Sequence, residues 1–206
     1  MIASTRKNWQ HSKQIDACAF AAIRHHPQRP TGAPMHALPL SDLTLALASL
    51  PAPYQLRVQR DDDDDFAAAL YSATRDDLRQ VPADPAVIEQ LIAMQRRMQS
   101  QGYRQAYPHA AYLVLQHGDT SIGRLILDRQ DKVLHLVDIA ILPSARGQGA
   151  GSAVLRGLQA QAGADQLHIH LAVNKSNTAA RALYQRLGFR LRGENEVQEQ
   201  LAWSAP

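Results

Sequence analysis

The chain has 206 residues, of which 45% are hydrophobic and 20% are charged, and its formal net charge is +3. This composition is that of an ordinary globular protein, long enough for one domain plus an extension. The small charge and the lack of a dense Lys/Arg block argue against nucleic-acid binding, and no apolar run reaches the ~18 residues of a membrane span. The single cysteine, Cys18, excludes an internal disulfide and a cysteine metal cluster, which favours a reducing, cytoplasmic setting and no metal.

Residues 1–54 are proline-rich and differ from the remainder of the chain. We expect them to form an N-terminal extension that is partly disordered or loosely helical. Two short helices are predicted within it, at 15–23 and 38–50. From residue 55 the pattern becomes globular, so residues 55–206 are predicted to form the folded domain.

The domain begins with an alternating segment, 55–60, which predicts a half-buried strand. Five consecutive aspartates follow, at 61–65. They could bind a metal ion, but acids also gather at helix N-termini, where they meet free N–H groups, and we favour that interpretation. Asp84-Pro85 predicts the start of another helix that ends near residue 102. Its apolar stripe is predicted to pack in the core, and the members are Val87, Leu91, Met94 and Met98.

The second half of the domain begins as a meander of three strands and continues with alternating helices and strands. Three strands with short links predict antiparallel pairing, and the following strand–helix–strand unit predicts one parallel pair. We therefore expect an α/β fold with a mixed, mostly antiparallel sheet. The predicted strands are 111–116, 121–128, 133–142, 166–173, 189–192 and 198–203, and the predicted helices are 149–162 and 177–187, the latter closed by Gly188.

A glycine-rich loop connects the third meander strand to the next helix, with the sequence Arg146-Gly147-Gln148-Gly149-Ala150-Gly151-Ser152. A helix N-terminus offers unpaired N–H groups and a partial positive charge, and glycines let a ligand approach the backbone, so the loop predicts a phosphate site. It lacks the lysine of a P-loop. Its glycine spacing and the meander before it also argue against a dinucleotide fold. From the loop alone, a turn without a ligand remains an alternative.

The loop resembles the acetyl-CoA motif of the GNAT superfamily of N-acetyltransferases, Arg/Gln-x-x-Gly-x-Gly/Ala. A second block is similar to that superfamily's Asn-x-x-Ala-x-x-Leu-Tyr-x-x-x-Gly-Phe, and the residues that match it are Asn177, Ala180, Leu183, Tyr184, Gly188 and Phe189. The resemblance extends over about 133–192. It implies the GNAT-like acyl-CoA N-acyltransferase fold, acetyl-CoA as co-substrate, and acetyl transfer to a primary amine of a small molecule or peptide.

The resemblance also implies how the cofactor is held. Its pyrophosphate would lie on the backbone N–H groups of Arg146, Gly147, Gln148, Gly149, Ala150, Gly151 and Ser152. The pantetheine arm would follow the preceding strand from Ile139 to Leu142, and an N–H near Ile141 or Leu142 would polarise the thioester carbonyl. Asn177 would contact the arm, although its position suits a helix N-cap equally well.

Tyr184 is the candidate general acid, because a phenol with an ordinary pKa of about 10 can donate to a leaving thiolate. The alternative is a core tyrosine. Asp138 is the candidate general base, and many members of the superfamily have no dedicated base. Three strand histidines are also available, although ordinary strand roles are the simpler interpretation for them, and they are His135, His168 and His170.

The amine acceptor is expected over residues 66–108 and the last strands, and the candidates for lining its site are Tyr103, Tyr107 and His109. The sequence leaves a homodimer open. The rival hypothesis for the whole chain is a non-catalytic acyl-CoA-binding sensor or regulatory module. A further alternative is a structural protein whose loop holds no ligand.

Overall fold

The computed structural model describes residues 50–205, so the helix expected at 15–23, and all but the last residue of the one expected at 38–50, lie outside the described residues. The strands are β1 (Tyr54–Val58), β2 (Ala111–His117), β3 (Thr120–Gln130), β4 (Val133–Ile141), β5 (His168–Asn174), β6 (Arg190–Glu194) and β7 (Gln198–Ser204). The α-helices are α1 (Asp64–Ala73), α2 (Asp76–Arg79), α3 (Pro85–Ala106), α4 (Ala150–Ala164) and α5 (Thr178–Arg186). By their internal contacts, residues 65–108 form one compact unit, and residues 50–64 with 109–205 form another.

The sheet unit has seven strands in the order β1-β2-β3-β4-β5-β7-β6. The β4–β5 pair is parallel, and the five other pairs are antiparallel. Helix α4 makes the crossover between the two parallel strands, as a parallel pair requires. The predicted fold class, α/β with a mostly antiparallel sheet and one parallel strand–helix–strand unit, is confirmed.

The core of this unit lies on one face of the sheet, because alternate residues of each strand point to the same side. The fully buried strand residues include Leu115, Leu125, Leu127, Leu134 and Ile169. Three apolar residues of α4 are also fully buried, and they are Val154, Leu155 and Leu158. Leu50 belongs to this core as well, so the last residues of the expected extension pack with the sheet.

The helical unit has a small core of its own around Leu78, Ile88 and Ile92. Helix α3 begins where the sequence predicted, with the Asp84 side chain accepting from the Ala86 N–H at 2.8 Å, but it extends to Ala106, beyond the predicted end near residue 102.

The predicted core stripe of α3 is wrong. Three of its four members are exposed by 45–55%, namely Val87, Met94 and Met98. The buried face is formed by Ile88 and Ile92 instead. Helical periodicity is compatible with either stripe, and in the folded unit the stripe of Ile88 and Ile92 is the buried one.

The aspartate run is the start of a helical segment, which confirms the favoured interpretation. A 3₁₀ turn over Asp61–Asp63 leads directly into α1. Asp63 points inward and forms a two-pronged ion pair with Arg57 of β1, with both N–O distances at 2.6 Å. The Arg60 N–H also donates to this carboxylate at 2.7 Å. These hydrogen bonds, with the Arg57 bond as the largest cause, lower the pKa of Asp63 to about 2.

We expect Asp63→Asn to lower the free energy of unfolding at pH 7 by about 1–2 kcal/mol, because the amide cannot replace the carboxylate in the Arg57 pair. The pKa of Asp63 is lower in the folded state, so the pair stabilises fully above about pH 4 and is lost as pH falls toward 2. Chemical denaturation between pH 2 and pH 7 measures this, with the exposed Asp61→Asn as control. If wild type and Asp63→Asn showed the same pH dependence, the pair would have no such role.

Candidate active site

A gap opens in the middle of the sheet between the two parallel strands. Strands β4 and β5 pair from Val133–His168 to Leu136–Leu171, and beyond that point both strands continue without pairing to each other. The cause is a β-bulge on β4. Ile126 lies opposite Asp138 and Leu127 lies opposite Leu136, which leaves Val137 as the extra residue. A bulge bends its strand and ends regular pairing, so β4 leaves β5 at Val137.

The bulge leaves backbone groups of β4 directed into this gap. The Leu142 N–H donates to the Ile122 carbonyl on β3 at 2.9 Å. Because successive amides of a strand alternate in direction, Ile139 and Ile141 direct theirs away from β3, toward the side that β5 has left. Of the two amides considered in the sequence, that of Leu142 is therefore engaged within the sheet, and that of Ile141 faces the gap.

The glycine loop lies at the outer end of the same strand. Gly147 and Gly149 have φ angles of +74° and +91°, a backbone region that side chains disfavour. Helix α4 starts at Ala150, and its first amide bonded within the helix is that of Ala153, which donates to the Gly149 carbonyl at 2.9 Å. The earlier amides of the first turn have no acceptor in the helix. No side chain of the described residues caps this helix, so its N-terminus suits an anion.

Contacts within the sheet unit hold the loop in place. The Gln148 side chain donates to the Ser144 carbonyl at 2.9 Å, and the Tyr54 hydroxyl of β1 donates to the Gln148 carbonyl at 2.5 Å. A Cβ at Gly151 would lie 3.4 Å from the Leu183 side chain, so a larger residue there would crowd α5. Tyr54 was not predicted as part of this site, because nothing in its local sequence indicates a partner 94 residues away.

Arg146 and Asn177 occupy exposed positions beside the gap. Arg146 donates through Nε to the Ile141 carbonyl at 3.0 Å, which keeps its positive charge at the junction of β4 and the loop. The Asn177 Oδ1 accepts from the Ala180 N–H at 3.1 Å and caps α5. A ligand contact of Asn177 would therefore use its side-chain NH₂ group.

Tyr184 is buried in α5, with its ring edge-to-face against Phe189 at 5.6 Å between centroids. Burial raises the pKa of its phenol to about 12, and the negative charge of Asp138 adds to the shift. The phenol therefore stays protonated at neutral pH.

Asp138 is paired with Arg124 of β3, a residue that the sequence analysis missed. The Asp138 Oδ2 accepts from Arg124 Nη2 at 2.6 Å and from Nε at 3.2 Å. The two side chains are only 19% and 10% exposed. The candidate base is thus held by a nearly buried cation, and one of its two oxygens is engaged twice.

The three strand histidines lie on the sheet face opposite the core. His135 and His170 are register partners on β4 and β5, with their rings edge-to-face at 5.7 Å. Arg192 of β6 donates through Nη1 to His170 Nε2 at 2.9 Å. Burial, Arg192 and the two other histidines lower the pKa of His170 to about 4. His168 contacts the Ser204 hydroxyl through Nδ1 at 2.7 Å, at the far end of β5 from the gap.

The three expected acceptor-lining residues do not share one environment. Tyr103 and Tyr107 are buried at the end of α3, and His109 is exposed.

Within residues 50–205, no three His, Cys, Asp or Glu side chains converge as a metal site would need. In the same part of the chain, no helix is both long enough and apolar enough to cross a membrane.

The chain is similar to known proteins in sequence pattern and in fold. Residues 61–189 match the family model described as "Acetyltransferase (GNAT) family". The PaiA N-acetyltransferase of Thermoplasma acidophilum, solved with coenzyme A, has a TM-score of 0.56 at 13% identity, over 74% of this chain and 99% of that one. The ribosomal-protein-S18-alanine N-acetyltransferase of Escherichia coli has a TM-score of 0.51 at 21% identity, over 73% and 93%.

A third solved structure, an acetyl transferase of Salmonella typhimurium that modifies the N-terminal serine of ribosomal protein L7/L12, has a TM-score of 0.55 at 15% identity, over 77% of this chain and 99% of that one. At such low identities these structures support the fold alone. The family match is stronger evidence, because it spans more than half of the chain and includes the bulged strand, the glycine loop and the Asn177–Phe189 block. This chain belongs to the acetyltransferase (GNAT) family.

Proposed function

We propose that the chain transfers the acetyl group of acetyl-CoA to a primary amine of a small molecule or a peptide. One observation carries the proposal: the β4–β5 gap and the uncapped N-terminus of α4 lie at the two ends of one stretch of strand, from Val137 to Ile141. An extended ligand with a diphosphate at one end fits this arrangement. The strand amides suit its arm, and the helix N-terminus suits its anionic end.

The chain's own groups fit such a ligand. Acetyl-CoA supplies an activated acetyl group on a thioester. The amides from Gly147 to Ser152 and the charge of Arg146 bind the pyrophosphate. The Ile139 and Ile141 backbone groups hold the arm as an added strand, and the Ile141 N–H is the donor for the acetyl carbonyl oxygen. Asn177 adds a side-chain NH₂ contact from the start of α5.

Tyr184 is the proposed general acid, and its environment defines how it acts. With a pKa of about 12 against about 8.5 for an ordinary thiol, full transfer of the proton to sulfur is uphill by about 5 kcal/mol at 1.36 kcal/mol per unit. Tyr184 therefore contributes chiefly as a hydrogen-bond donor that stabilises negative charge as it builds on sulfur. Its burial makes this bond stronger than it would be in water.

The proton of the attacking amine also needs an acceptor. Asp138, on the sheet face opposite the core, is the proposed base. Its Oδ2 is engaged by Arg124, so proton acceptance by Asp138 would use Oδ1 or a bridging water. The same ion pair also holds the side chain in place beside the bulge.

Peptide amines are a reasonable part of the acceptor class. Two of the similar structures are named for acetylation of ribosomal proteins, one at an alanine and one at an N-terminal serine. We therefore include peptides with N-terminal alanine and serine among the amines to be tested, beside amino acids and aliphatic diamines.

We expect acetyl-CoA to raise the melting temperature, with a stabilisation of about 2.7 kcal/mol at one hundred times its Kd. Differential scanning fluorimetry measures the shift, and a thiol reagent then measures CoA release across the amine panel. Dephospho- and desulfo-CoA serve as matched ligands. No shift at saturating acetyl-CoA would contradict both transfer and sensing. A shift without thiol release on any amine would favour the non-catalytic sensor.

A further inference from the structure

The glycine loop is contacted by a residue of the first strand. The Tyr54 hydroxyl of β1 donates to the Gln148 carbonyl at 2.5 Å, and a Cβ at Gly149 would lie 4.0 Å from the same hydroxyl oxygen. Tyr54 precedes residues 61–189, which match the family model. The contact to the loop therefore comes from a part of this chain that the family model does not cover.

The Tyr54 side chain is placed by the pairing of β1 with β2. Tyr54 lies opposite His117, and the two rings meet edge-to-face at 5.5 Å between centroids. Leu50, four residues earlier, is buried against α4, where a Cβ at Gly157 would lie 2.6 Å from its side chain. The segment 50–54 therefore contacts both the glycine loop and the helix that follows the loop.

The Tyr54 hydrogen bond bears on which amides of the loop stay free. In a trans peptide the carbonyl and the N–H point in opposite directions, so the Gln148 carbonyl at Tyr54 turns the Gly149 N–H away from Tyr54. In a helix that began one residue earlier, the same carbonyl would accept from the Ser152 N–H. Among residues 50–205, the Gly149 and Ser152 N–H groups have no protein acceptor. Both therefore remain available to an anion.

The loop needs such a restraint because glycines flank Gln148 on both sides. Gly147 and Gly149 have more backbone freedom than any other residue type, and ordering them costs conformational entropy. Gln148 is anchored twice, through its side chain to the Ser144 carbonyl at 2.9 Å and through its own carbonyl to Tyr54. A loop that is ordered before the ligand arrives spares the ligand that entropic cost.

We propose that Tyr54 is a positioning residue for the pyrophosphate of acetyl-CoA. Its hydroxyl fixes the Gln148–Gly149 peptide group, so that the Gly149 and Ser152 N–H groups face the anion. This inference rests on the proposed function. A hydrogen bond to a carbonyl also polarises the peptide group, which makes the N–H of the same group a stronger donor. Tyr54 acts through the loop and takes no part in acetyl transfer.

The test compares Tyr54→Phe with wild type in the full chain. The substitution removes one hydroxyl and keeps the ring, and it is expected to raise the Kd of coenzyme A about tenfold while kcat at saturation stays unchanged. Titration calorimetry measures the Kd, and thiol release measures kcat. The matched control is Thr74→Val, which loses a similar hydrogen bond, from the Thr74 hydroxyl to the Tyr71 carbonyl at 2.7 Å. The control should bind coenzyme A as tightly as wild type.

A shortened co-substrate separates positioning of the pyrophosphate from a general loss of structure. S-acetylpantetheine carries the thioester and the arm but no pyrophosphate. Tyr54→Phe should therefore lower kcat/KM for acetyl-CoA about tenfold and leave kcat/KM for S-acetylpantetheine unchanged. A merely structural role of Tyr54 would lower both values by the same factor.

The possible results separate the two proposals. If the wild type binds no coenzyme A, the proposed function fails and this inference falls with it. If the wild type binds coenzyme A and Tyr54→Phe binds it equally tightly, the inference alone is overturned. Equal losses of kcat/KM for acetyl-CoA and S-acetylpantetheine would also overturn it, as would a Kd that rises as much in Thr74→Val.

Discussion

Replacing Tyr184 with phenylalanine is expected to lower kcat by about 10²–10³-fold, the usual loss for one donor that stabilises developing charge, and to leave the Kd of acetyl-CoA nearly unchanged. The substitution removes one hydroxyl from a side chain that is 6% exposed, so the packing against Phe189 and the fold should be retained. Thiol release at saturating acetyl-CoA gives kcat, and the thermal shift gives relative affinity. Because the pKa of Tyr184 is about 12, the wild type should show no loss of activity from its ionisation below about pH 11.

The matched control for Tyr184→Phe is Phe189→Leu, which disturbs the same ring contact but keeps the hydroxyl. We expect this control to lose some stability and little turnover. Single-turnover measurements ensure that chemistry, not product release, is compared. Equal single-turnover rates for wild type and Tyr184→Phe would remove Tyr184 as the donor and leave it as a core tyrosine.

Replacing Gly149 with valine is expected to raise the Kd of acetyl-CoA by about 10²-fold and to change kcat at saturation little. Gly149 has a φ of +91°, where a β-branched residue is strained, so the loop must change conformation and move its amides. Losing about two hydrogen bonds to a charged phosphate costs about 3 kcal/mol, which corresponds to two factors of ten in Kd. Titration calorimetry with coenzyme A measures this effect directly.

Gly118→Val provides the comparison for backbone strain alone. Gly118 lies in the turn between β2 and β3, has a φ of +58°, and has open space around its Cβ position. The valine should lower the melting temperature without altering the Kd of coenzyme A. If Gly149→Val bound coenzyme A as tightly as Gly118→Val does, the assignment of the loop to the pyrophosphate would be contradicted.

The features that the sequence predicted well depend on neighbouring residues. Alternate glycines after a strand predicted a loop at the start of a helix, and the helix starts at Ala150, directly after Gly147 and Gly149. Asp84 and Asn177 were expected at helix N-termini, and each side chain accepts from the first turn of its helix. Such features involve contacts over two to four residues, so a short stretch of sequence specifies them.

The α3 stripe shows where this local reasoning fails. Ile88 and Ile92 lie one position beyond the predicted stripe of Val87 and Leu91, and both sets repeat at helical spacing. Helical periodicity indicates that one face of a helix is buried, but it does not identify which of two adjacent apolar faces is buried. That choice depends on what packs against the helix, which is information from elsewhere in the chain.

The sequence by itself determined the fold class, the glycine loop at the start of a helix and the helix that carries Tyr184, since each rests on periodicity, glycine backbone or helix capping. Only the tertiary structure decided the form of the site. The bulge at Val137 depends on the register between β3 and β4, and it is this bulge that opens the gap and turns Ile139 and Ile141 toward it. The Asp138–Arg124 pair joins two consecutive strands across 14 residues, and the His135–His170 contact joins β4 to β5. Register is a property of two strands together, so no single segment contains it.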